Sequence, residues 1–290
     1  MSVEGDYKVR IVIASGKGGT GKTFISTNLA YSLGQNNRVQ LIDCDVEEPN
    51  SHIFIPVSDS ETEIVKSLVP VIDNDNCCHC GLCAERCQFN ALSVLKNKVL
   101  LFTDICHSCG GCILSCPNNA ITEGSKEIGT IESYHNKNID MVIGKLKVRA
   151  IQAPEVINEA LAKQQKNYLT IVDAPPGTSC TAIAAVSEAD FCVLVSEPTP
   201  FGLHDLELAV DMVKALNVKV AVVINKYETS DSLTERYCKR NNIPVIAKIP
   251  QKREVAQAYA SGKLITEVNP KYQLKFQNLY SNIERMIKND

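Results

Sequence analysis

Short apolar runs alternate with helical patterns along most of the chain. Runs rich in Val, Ile and Leu predict buried strands over 9–14, 39–42, 169–173, 191–196, 218–224 and 245–249. Apolar residues at helical spacing predict helices over 24–33, 155–165, 205–216 and 232–241. Strands and helices that alternate in this order form parallel pairs joined by crossover helices. The pattern therefore predicts an α/β fold with an open, doubly wound, mostly parallel sheet.

The region from 49 to 70 breaks this regularity. It holds Pro49, Pro56 and Pro70 together with several Ser and Asp residues. Clusters of such residues are typical of loops and turns. We predict that the chain leaves its first domain within this irregular region.

A glycine-rich loop lies between the first predicted strand and the first predicted helix. Its glycines let successive backbone N–H groups converge on phosphate oxygens, and the following helix adds the positive end of its dipole. Lys22 is expected to reach the β- and γ-phosphates, and Thr23 to ligate Mg²⁺. The alternative, a plain glycine-rich turn, is disfavoured by the strand before and the helix after. We predict that a nucleotide with Mg²⁺ is bound by Gly16, Lys17, Gly18, Gly19, Thr20, Gly21, Lys22 and Thr23.

Acidic residues follow the second predicted strand, as Asp43 and Asp45. The carboxyl ends of parallel strands are where α/β sheets bind ligands. These acids are therefore expected beside the nucleotide.

Composition narrows the class of protein. The chain has 290 residues, 44% of them hydrophobic and 22% charged, which suits one large α/β domain, either alone or with a small insertion. It has no apolar run of the roughly 18 residues needed to span a membrane, and residues 1–10 show no apolar signal core. We expect a cytoplasmic protein. The net charge of -3 argues against nucleic acid as the main partner.

The cysteines are concentrated in one short segment. The chain has thirteen, and nine of them lie between Cys77 and Cys116. In a reducing compartment such a concentration indicates metal binding rather than disulfides.

The segment 71–123 contains an internal repeat. The spacing C-x2-C-x2-C-x3-C occurs twice, and equivalent cysteines differ by a constant offset (106 − 77 = 29). In this spacing three cysteines hold one [4Fe-4S] cluster and the fourth ligates the other cluster. The first predicted set is Cys77, Cys80, Cys83 and Cys116, and the second is Cys106, Cys109, Cys112 and Cys87. Zinc is the alternative metal for paired CxxC motifs.

The repeat resembles the bacterial two-cluster ferredoxins over about fifty residues. Gln88 stands where that family usually has Pro after the fourth cysteine, whereas Pro117 keeps it in the second motif. We expect an altered turn near Cys87. The resemblance predicts an inserted ferredoxin-like domain over 61–123, with 1–60 and 124–290 forming the nucleotide-binding domain.

The rest of the chain resembles the MinD/ParA group of P-loop ATPases. The likeness rests on Lys17 early in the loop, on the Asp43–Asp45 segment, and on the segment Asp173 to Thr178 after a strand. It implies that Lys17 reaches the nucleotide of a second subunit, that Asp45 orients the attacking water, and that Asp43 and Asp173 serve the Mg²⁺ shell. It also implies that the nucleotide is ATP or ADP, and that Asn225 and Pro250 contact the adenine base. Lys17, Lys22, Asp45 and Asp173 are thus the predicted catalytic residues.

The two halves together predict an ATPase that couples the nucleotide state of a homodimer to electron transfer through two [4Fe-4S] clusters. A redox partner or a metalloprotein client would receive the electrons. One alternative is a carrier or scaffold for iron–sulfur or metal cofactors. Another is a redox-sensing positioning ATPase, for which the C-terminal amphipathic stretch 272–287 would contact a membrane. A terminal helix packed on the core is the commoner outcome for such a stretch.

Overall fold

The computed structural model describes residues 9–56, 60–135, 138–228 and 232–288. Residues 1–8 and 57–59, which belong to the predicted first domain segment, lie outside the described residues. The strands are β1 Arg10–Ala14, β2 Val39–Asp43, β3 Ser60–Ile72, β4 Leu92–Leu95, β5 Lys98–Leu101, β6 Ile121–Tyr134, β7 Ile139–Leu146, β8 Leu169–Asp173, β9 Phe191–Ser196, β10 Val220–Tyr227 and β11 Val245–Pro250. The helices are α1 Lys22–Gly34, α2 Leu82–Arg86, α3 Gly111–Leu114, α4 Ala153–Ala162, α5 Cys180–Val186, α6 Pro200–Ala215, α7 Leu233–Arg240, α8 Arg253–Ala260, α9 Ile265–Val268 and α10 Pro270–Lys288.

Nine of the described strands form one sheet, in the order β11-β10-β9-β1-β8-β2-β7-β6-β3. The pairs from β11 to β7 are parallel, so the predicted mostly parallel α/β sheet is confirmed. Residues alternate between the two faces of each strand. Val12 belongs to the core under α4 to α7, whereas Ile11 and Ile13 belong to the core under α1, α9 and α10. Burial on both faces explains why these strands are continuous apolar runs.

The alternation of strands and helices predicted along most of the chain does not extend to one edge of the sheet. Strand β6 pairs antiparallel with both β3 and β7, and the pattern of apolar residues predicts none of these three strands. Strand β3 begins within the region predicted to be irregular, and its first five residues are exposed. A strand at the sheet edge with solvent on one face carries little apolar signal, and it tolerates Pro70 because half of its N–H groups need no strand partner.

The cysteine-rich segment 73–120 lies between β3 and β6. These two strands pair over their full length, from Ser60 opposite Tyr134 to Ile72 opposite Ile121. The segment contains the hairpin β4–β5 and the short helices α2 and α3, and its core includes Cys83, Leu92 and Val99. We call this segment the cysteine lobe. Strands β3 and β6 therefore join the lobe to the edge of the main sheet.

The C-terminal helix α10 packs its apolar face on the core. Tyr272, Phe276, Leu279 and Ile283 are buried, and they belong to the same core as β1 and α1. The face that would contact a membrane is therefore occupied within the chain. Among the described residues, no helix is long and apolar enough to cross a membrane.

Candidate functional site

The glycine-rich loop joins β1 to α1 with glycines in special conformations. Gly19 and Gly21 have φ values of 78° and 98°, in the left-handed region that favours glycine. A Cβ on Gly21 would lie 2.3 Å from Nδ2 of Asn225, and one on Gly16 would lie 2.0 Å from the carbonyl oxygen of Asp205. Gly16 and Gly21 must both be glycine because a side chain would not fit there. Gly21 must also be glycine because of its left-handed conformation.

A cavity of about 1100 Å³ opens beside this loop and the N-terminus of α1. Its volume is large enough for a nucleotide, since small-molecule sites usually have volumes of about 300–1,000 Å³. Of the residues predicted from the sequence, it is lined by Gly18, Gly19, Gly21, Lys22, Thr23, Asp45, Asn225 and Pro250. The predicted residues that do not line it are Gly16, Lys17, Thr20, Asp43 and Asp173.

Behind the cavity, Asp173 lies at the end of β8 and contacts the first turn of α1. Thr23 Oγ1 donates a hydrogen bond to Asp173 Oδ2 at 2.6 Å. The other carboxylate oxygen, Oδ1, is buried without a hydrogen-bond partner among the described residues. Burial, with the nearby Asp43 carboxylate, raises the pKa of Asp173 well above its usual value. A hydroxyl and an under-compensated carboxylate are oxygen ligands of the kind that Mg²⁺ prefers, so this pair fits a magnesium site.

Asp43 has a different environment although it lies opposite Asp173 on the neighbouring strand. Its Oδ1 accepts the backbone N–H of Asp45 at 3.1 Å, and its Oδ2 accepts those of Asn50 and Ser51 at 3.1 and 3.0 Å. The carboxylate thus fixes the loop that carries Asp45 into the cavity. Burial raises the pKa of Asp45 to about 6, against the opposing effect of the Lys22 ammonium.

Two residues next to the loop, Glu197 and Lys226, were not predicted from the sequence. Lys226 Nζ donates to the carbonyl oxygen of Gly19 at 2.9 Å and also to the Glu197 carboxylate. Glu197 Oε2 lies 3.8 Å from Lys17 Nζ. A sequence signal did exist for Glu197, because it directly follows the predicted strand 191–196, as Asp43 follows the strand 39–42.

The predicted base-contacting residue Asn225 also anchors the loop. Its Nδ2 donates to the carbonyl oxygen of Thr20 at 2.8 Å, in a buried position. The cavity wall also includes Phe24 and three residues of α8, namely Val255, Ala256 and Tyr259. This apolar wall was not predicted from the sequence, because α8 lies more than two hundred residues after the loop.

The eight motif cysteines line two further small cavities in the cysteine lobe. One is lined by Cys77, Cys80, Cys83 and Cys116, together with Cys78 and His79. The other is lined by Cys87, Cys106, Cys109 and Cys112, together with His107 and Ser108. Each cavity therefore combines three cysteines of one motif with the fourth of the other, in the two sets predicted from the spacing.

The sequence repeat is also a repeat of backbone geometry. His79 and Ser108 have φ values of 56° and 58°, and Asn90 and Asn119 have values of 53° and 51°. The N–H of Ala91 donates to Cys87 Sγ at 3.3 Å, and the equivalent N–H of Ala120 donates to Cys116 Sγ at 3.3 Å.

The altered turn expected near Cys87 is wrong. Asn90 N–H bonds to the Cys87 carbonyl at 3.2 Å, and its counterpart Asn119 bonds to Cys116 at 3.3 Å. The turn after each fourth cysteine is thus closed by the same backbone hydrogen bond. Gln88 can occupy the position that Pro117 has in the second motif, because this bond and the left-handed asparagine determine the turn.

In the described residues, no three His, Cys, Asp or Glu side chains converge closely enough to hold one metal ion. None of the thirteen cysteines, all of which lie in the described residues, forms a disulfide. The lobe therefore lacks the disulfides that would otherwise explain so many cysteines.

The parallel sheet, the loop between β1 and α1 and the adjoining cavity define a P-loop nucleotide-binding α/β protein. Residues 11–265 match the family described as the CobQ/CobB/MinD/ParA nucleotide binding domain, and the chain belongs to this family.

Relatives cover nearly the whole chain. An uncharacterised protein of Methanocaldococcus jannaschii is 30% identical over 285 residues, which cover 96% of this chain and 98% of the relative. A cytosolic Fe-S cluster assembly factor NUBP1 homolog of Caenorhabditis elegans is 23% identical, over 91% of this chain and 75% of its own. An iron-sulfur cluster carrier protein of Methanocaldococcus jannaschii is 23% identical, over 80% of this chain and 63% of its own.

Solved structures share the fold. The septum site-determining protein MinD of Pyrococcus horikoshii, complexed with Mg-ADP, matches with a TM-score of 0.59 and 19% identity over 97% of each chain. The cell division ATPase MinD of Pyrococcus furiosus matches with a TM-score of 0.60 and 21% identity, over 97% of this chain and 100% of its own.

Proposed function

We propose that this chain is an ATPase that holds two [4Fe-4S] clusters and couples the nucleotide state of a homodimer to electron transfer through them. The observation that carries the proposal is the pair of cavities, each lined by one predicted set of four cysteines. The clusters would supply one-electron transfer to a redox partner or to a metalloprotein client.

The donor set of the lobe suits cubane clusters better than zinc. In a [4Fe-4S] cluster each thiolate binds a different iron, so the four sulfurs surround a volume rather than one ion. A zinc site needs four ligands within about 2.3 Å of a single ion. The described cysteines do not converge in that way. The backbone N–H groups that reach Cys87 and Cys116 Sγ provide the kind of hydrogen bond that stabilises thiolate ligands.

The nucleotide site has the groups needed for phosphoryl transfer. Lys22 and the loop N–H groups would hold the phosphates, and Thr23 with Asp173 would hold Mg²⁺, which neutralises developing charge. Asp45 would orient the attacking water. Lys17 does not line the cavity of its own chain, and this supports a role at the nucleotide of a second subunit. Catalysis is then electrostatic positioning completed by dimer closure.

Two structural connections support coupling between the nucleotide and the cysteine lobe. The first is the loop fixed by Asp43, which carries Asp45 and precedes β3, one of the two strands that support the lobe. The second runs through the segment after Asp173, which leads into α5. Helix α5 packs against α4, and Gln152 at the start of α4 donates to the Cys106 carbonyl at 2.7 Å. Movement of either loop with the γ-phosphate would reach the lobe.

The test is anaerobic iron and sulfide analysis with EPR spectroscopy, with and without MgATP. We expect eight irons and eight sulfides per chain, because two four-iron clusters are proposed. We also expect a reduction potential that changes when MgATP is added while both clusters are retained. A protein that holds zinc and no iron, both after aerobic metal loading and after anaerobic reconstitution, would refute the proposal.

A cluster carrier is the second candidate, favoured by the two relatives named for cluster assembly and cluster carriage. A carrier must lose its cluster to an acceptor, whereas an electron-transfer protein must keep it. Incubation of the loaded protein with an apo-ferredoxin, followed by separation and iron analysis of both proteins, distinguishes the two. ATP-dependent movement of iron to the acceptor would favour the carrier.

A further inference from the structure

The two cysteine-lined cavities differ at one pair of equivalent positions, His79 and Ser108. These residues are related by the repeat offset (108 − 79 = 29), and both have the left-handed backbone conformation. His79 lines the first cavity. Its Nε2 atom is buried and has no hydrogen-bond partner among the described residues. A buried polar nitrogen is unfavourable unless it is paired, so its partner is expected to enter the cavity.

Ser108 cannot play the same part in the second cavity. Its side chain is shorter, and the hydrogen bond that its Oγ accepts from Ser67 Oγ at 2.7 Å holds it beside β3. The histidine of the second motif, His107, corresponds to Cys78 and not to His79. Its ring stacks on Phe89, with centroids 3.7 Å apart and an interplanar angle of 17°. The two sites therefore differ in the His79 imidazole nitrogen, which has no equivalent at Ser108.

We propose that His79 donates a hydrogen bond from Nε2 to a sulfur of the cluster held by Cys77, Cys80, Cys83 and Cys116, and that this cluster has the higher reduction potential of the two. This inference rests on the proposed function. A hydrogen bond to cluster or thiolate sulfur stabilises the added negative charge of the reduced state, so it raises the potential. The imidazole needs only the neutral tautomer with its hydrogen on Nε2.

The proposal gives the electron a direction within the lobe. An electron that enters at the cluster of Cys87, Cys106, Cys109 and Cys112 would move to the cluster beside His79. The second cavity is also the one linked to α4, through Gln152 and the Cys106 carbonyl. The cluster nearest this link would then be the one whose potential responds to nucleotide, and the His79 cluster would be the exit.

The experiment is an anaerobic redox titration of the full chain with dithionite, followed by EPR. The variants are His79→Ser, which copies the second site, and His79→Gln, which keeps an amide donor. The control is Ser108→Ala. Wild type should show two midpoint potentials. His79→Ser should lower the upper one towards the other, His79→Gln should lower it less, and Ser108→Ala should leave it unchanged.

Three results would overturn the inference. The first is that both midpoint potentials of His79→Ser equal those of wild type while its iron and sulfide contents are complete. The second is loss of half the iron from both His79 variants, because that would make the imidazole essential for holding the cluster. The third is a shift in Ser108→Ala as large as that in His79→Ser. A wild-type protein without four-iron clusters would instead refute the proposed function itself.

Discussion

Lys17 Nζ lies 3.8 Å from Glu197 Oε2, in an ion pair within one chain. The Lys17 side chain is 33% exposed and that of Glu197 is 15% exposed. Glu197 also pairs with Lys226, which holds the carbonyl of Gly19. A lysine that serves a second subunit, as we propose for Lys17, must leave this carboxylate when the dimer closes.

Replacing Glu197 by Gln should therefore favour the ATP-bound dimer. A partly exposed ion pair contributes about 0.2–1 kcal/mol, and each of the two chains loses one on closure, so the association constant should rise by up to about thirtyfold. Sedimentation with a non-hydrolysable ATP analogue measures it. The matched control is Glu159→Gln, which removes the same charge from an exposed position on α4. Weaker association in Glu197→Gln than in this control would show that the pair does not restrain Lys17.

Lys17→Ala and Asp45→Ala should each abolish most ATP hydrolysis while leaving ADP binding by the monomer largely intact. Lys17 lies outside the cavity of its own chain, and Asp45 is proposed to act on water rather than on phosphate. Turnover and fluorescent-ADP titrations measure the two properties separately. Lys22→Ala is the contrasting variant and should lose binding as well. Unchanged turnover in Lys17→Ala would count against the dimer mechanism.

Gly21→Ala should destabilise the protein even without nucleotide. The substitution places an L side chain at φ 98° and a Cβ 2.3 Å from Asn225 Nδ2, which is engaged with Thr20. Such backbone strain costs about 1–3 kcal/mol, and the clash adds to it. Gly18→Ala is the matched control, since nothing described lies within 4 Å of its Cβ. Urea unfolding of the nucleotide-free chains should separate the two, and equal midpoints would contradict the loop geometry.

Gln152→Ala should loosen the cysteine lobe. The substitution leaves the Cys106 carbonyl without its buried donor, at a cost of about 1–3 kcal/mol. Hydrogen exchange should become faster around Cys106, and the effect of MgATP on the lower cluster potential should diminish. Gln257→Ala, at an exposed position on α8, is the control. A nucleotide response equal to that of wild type would exclude coupling through this hydrogen bond.

Alkylation at pH 8 should divide the cysteines into three classes. Cys78 and Cys180 are exposed and should react, whereas Cys192 and Cys238 should not. Burial raises the pKa of Cys238 to about 11 and also raises the pKa of Cys192, so both thiols stay protonated at pH 8 and lack the reactive thiolate.

The third class tests the clusters directly. The side chains of Cys80 and Cys109 are exposed in the structure. They should nevertheless resist alkylation in the anaerobically loaded protein, and react after the iron is removed with a chelator and an oxidant. Mass spectrometry of peptides reports each site. Rapid alkylation of both residues in the loaded protein would refute cluster ligation by these thiols.

Local signals made much of the molecule predictable. The strands 169–173 and 191–196 coincide with β8 and β9, because a strand buried on both faces is a continuous apolar run. The glycine-rich loop was recognisable because its residues are contiguous. Edge strands such as β3 were not, since one solvated face and Pro70 conceal the pattern. Gln152, Glu197 and the apolar wall on α8 could not be predicted as partners, because their contacts join residues far apart in the chain.

The sequence by itself determined the class of protein, and the spacing of its glycines, acids and cysteines predicted the chemistry of its sites. Only the tertiary structure decided which of these groups are engaged. It commits Asp43 to backbone N–H groups and leaves an oxygen of Asp173 unpaired, it buries the apolar face of α10, and it distinguishes His79 from Ser108. The physical reason is that burial and pairing depend on the neighbours that folding brings together, whereas spacing records only what each short segment can do.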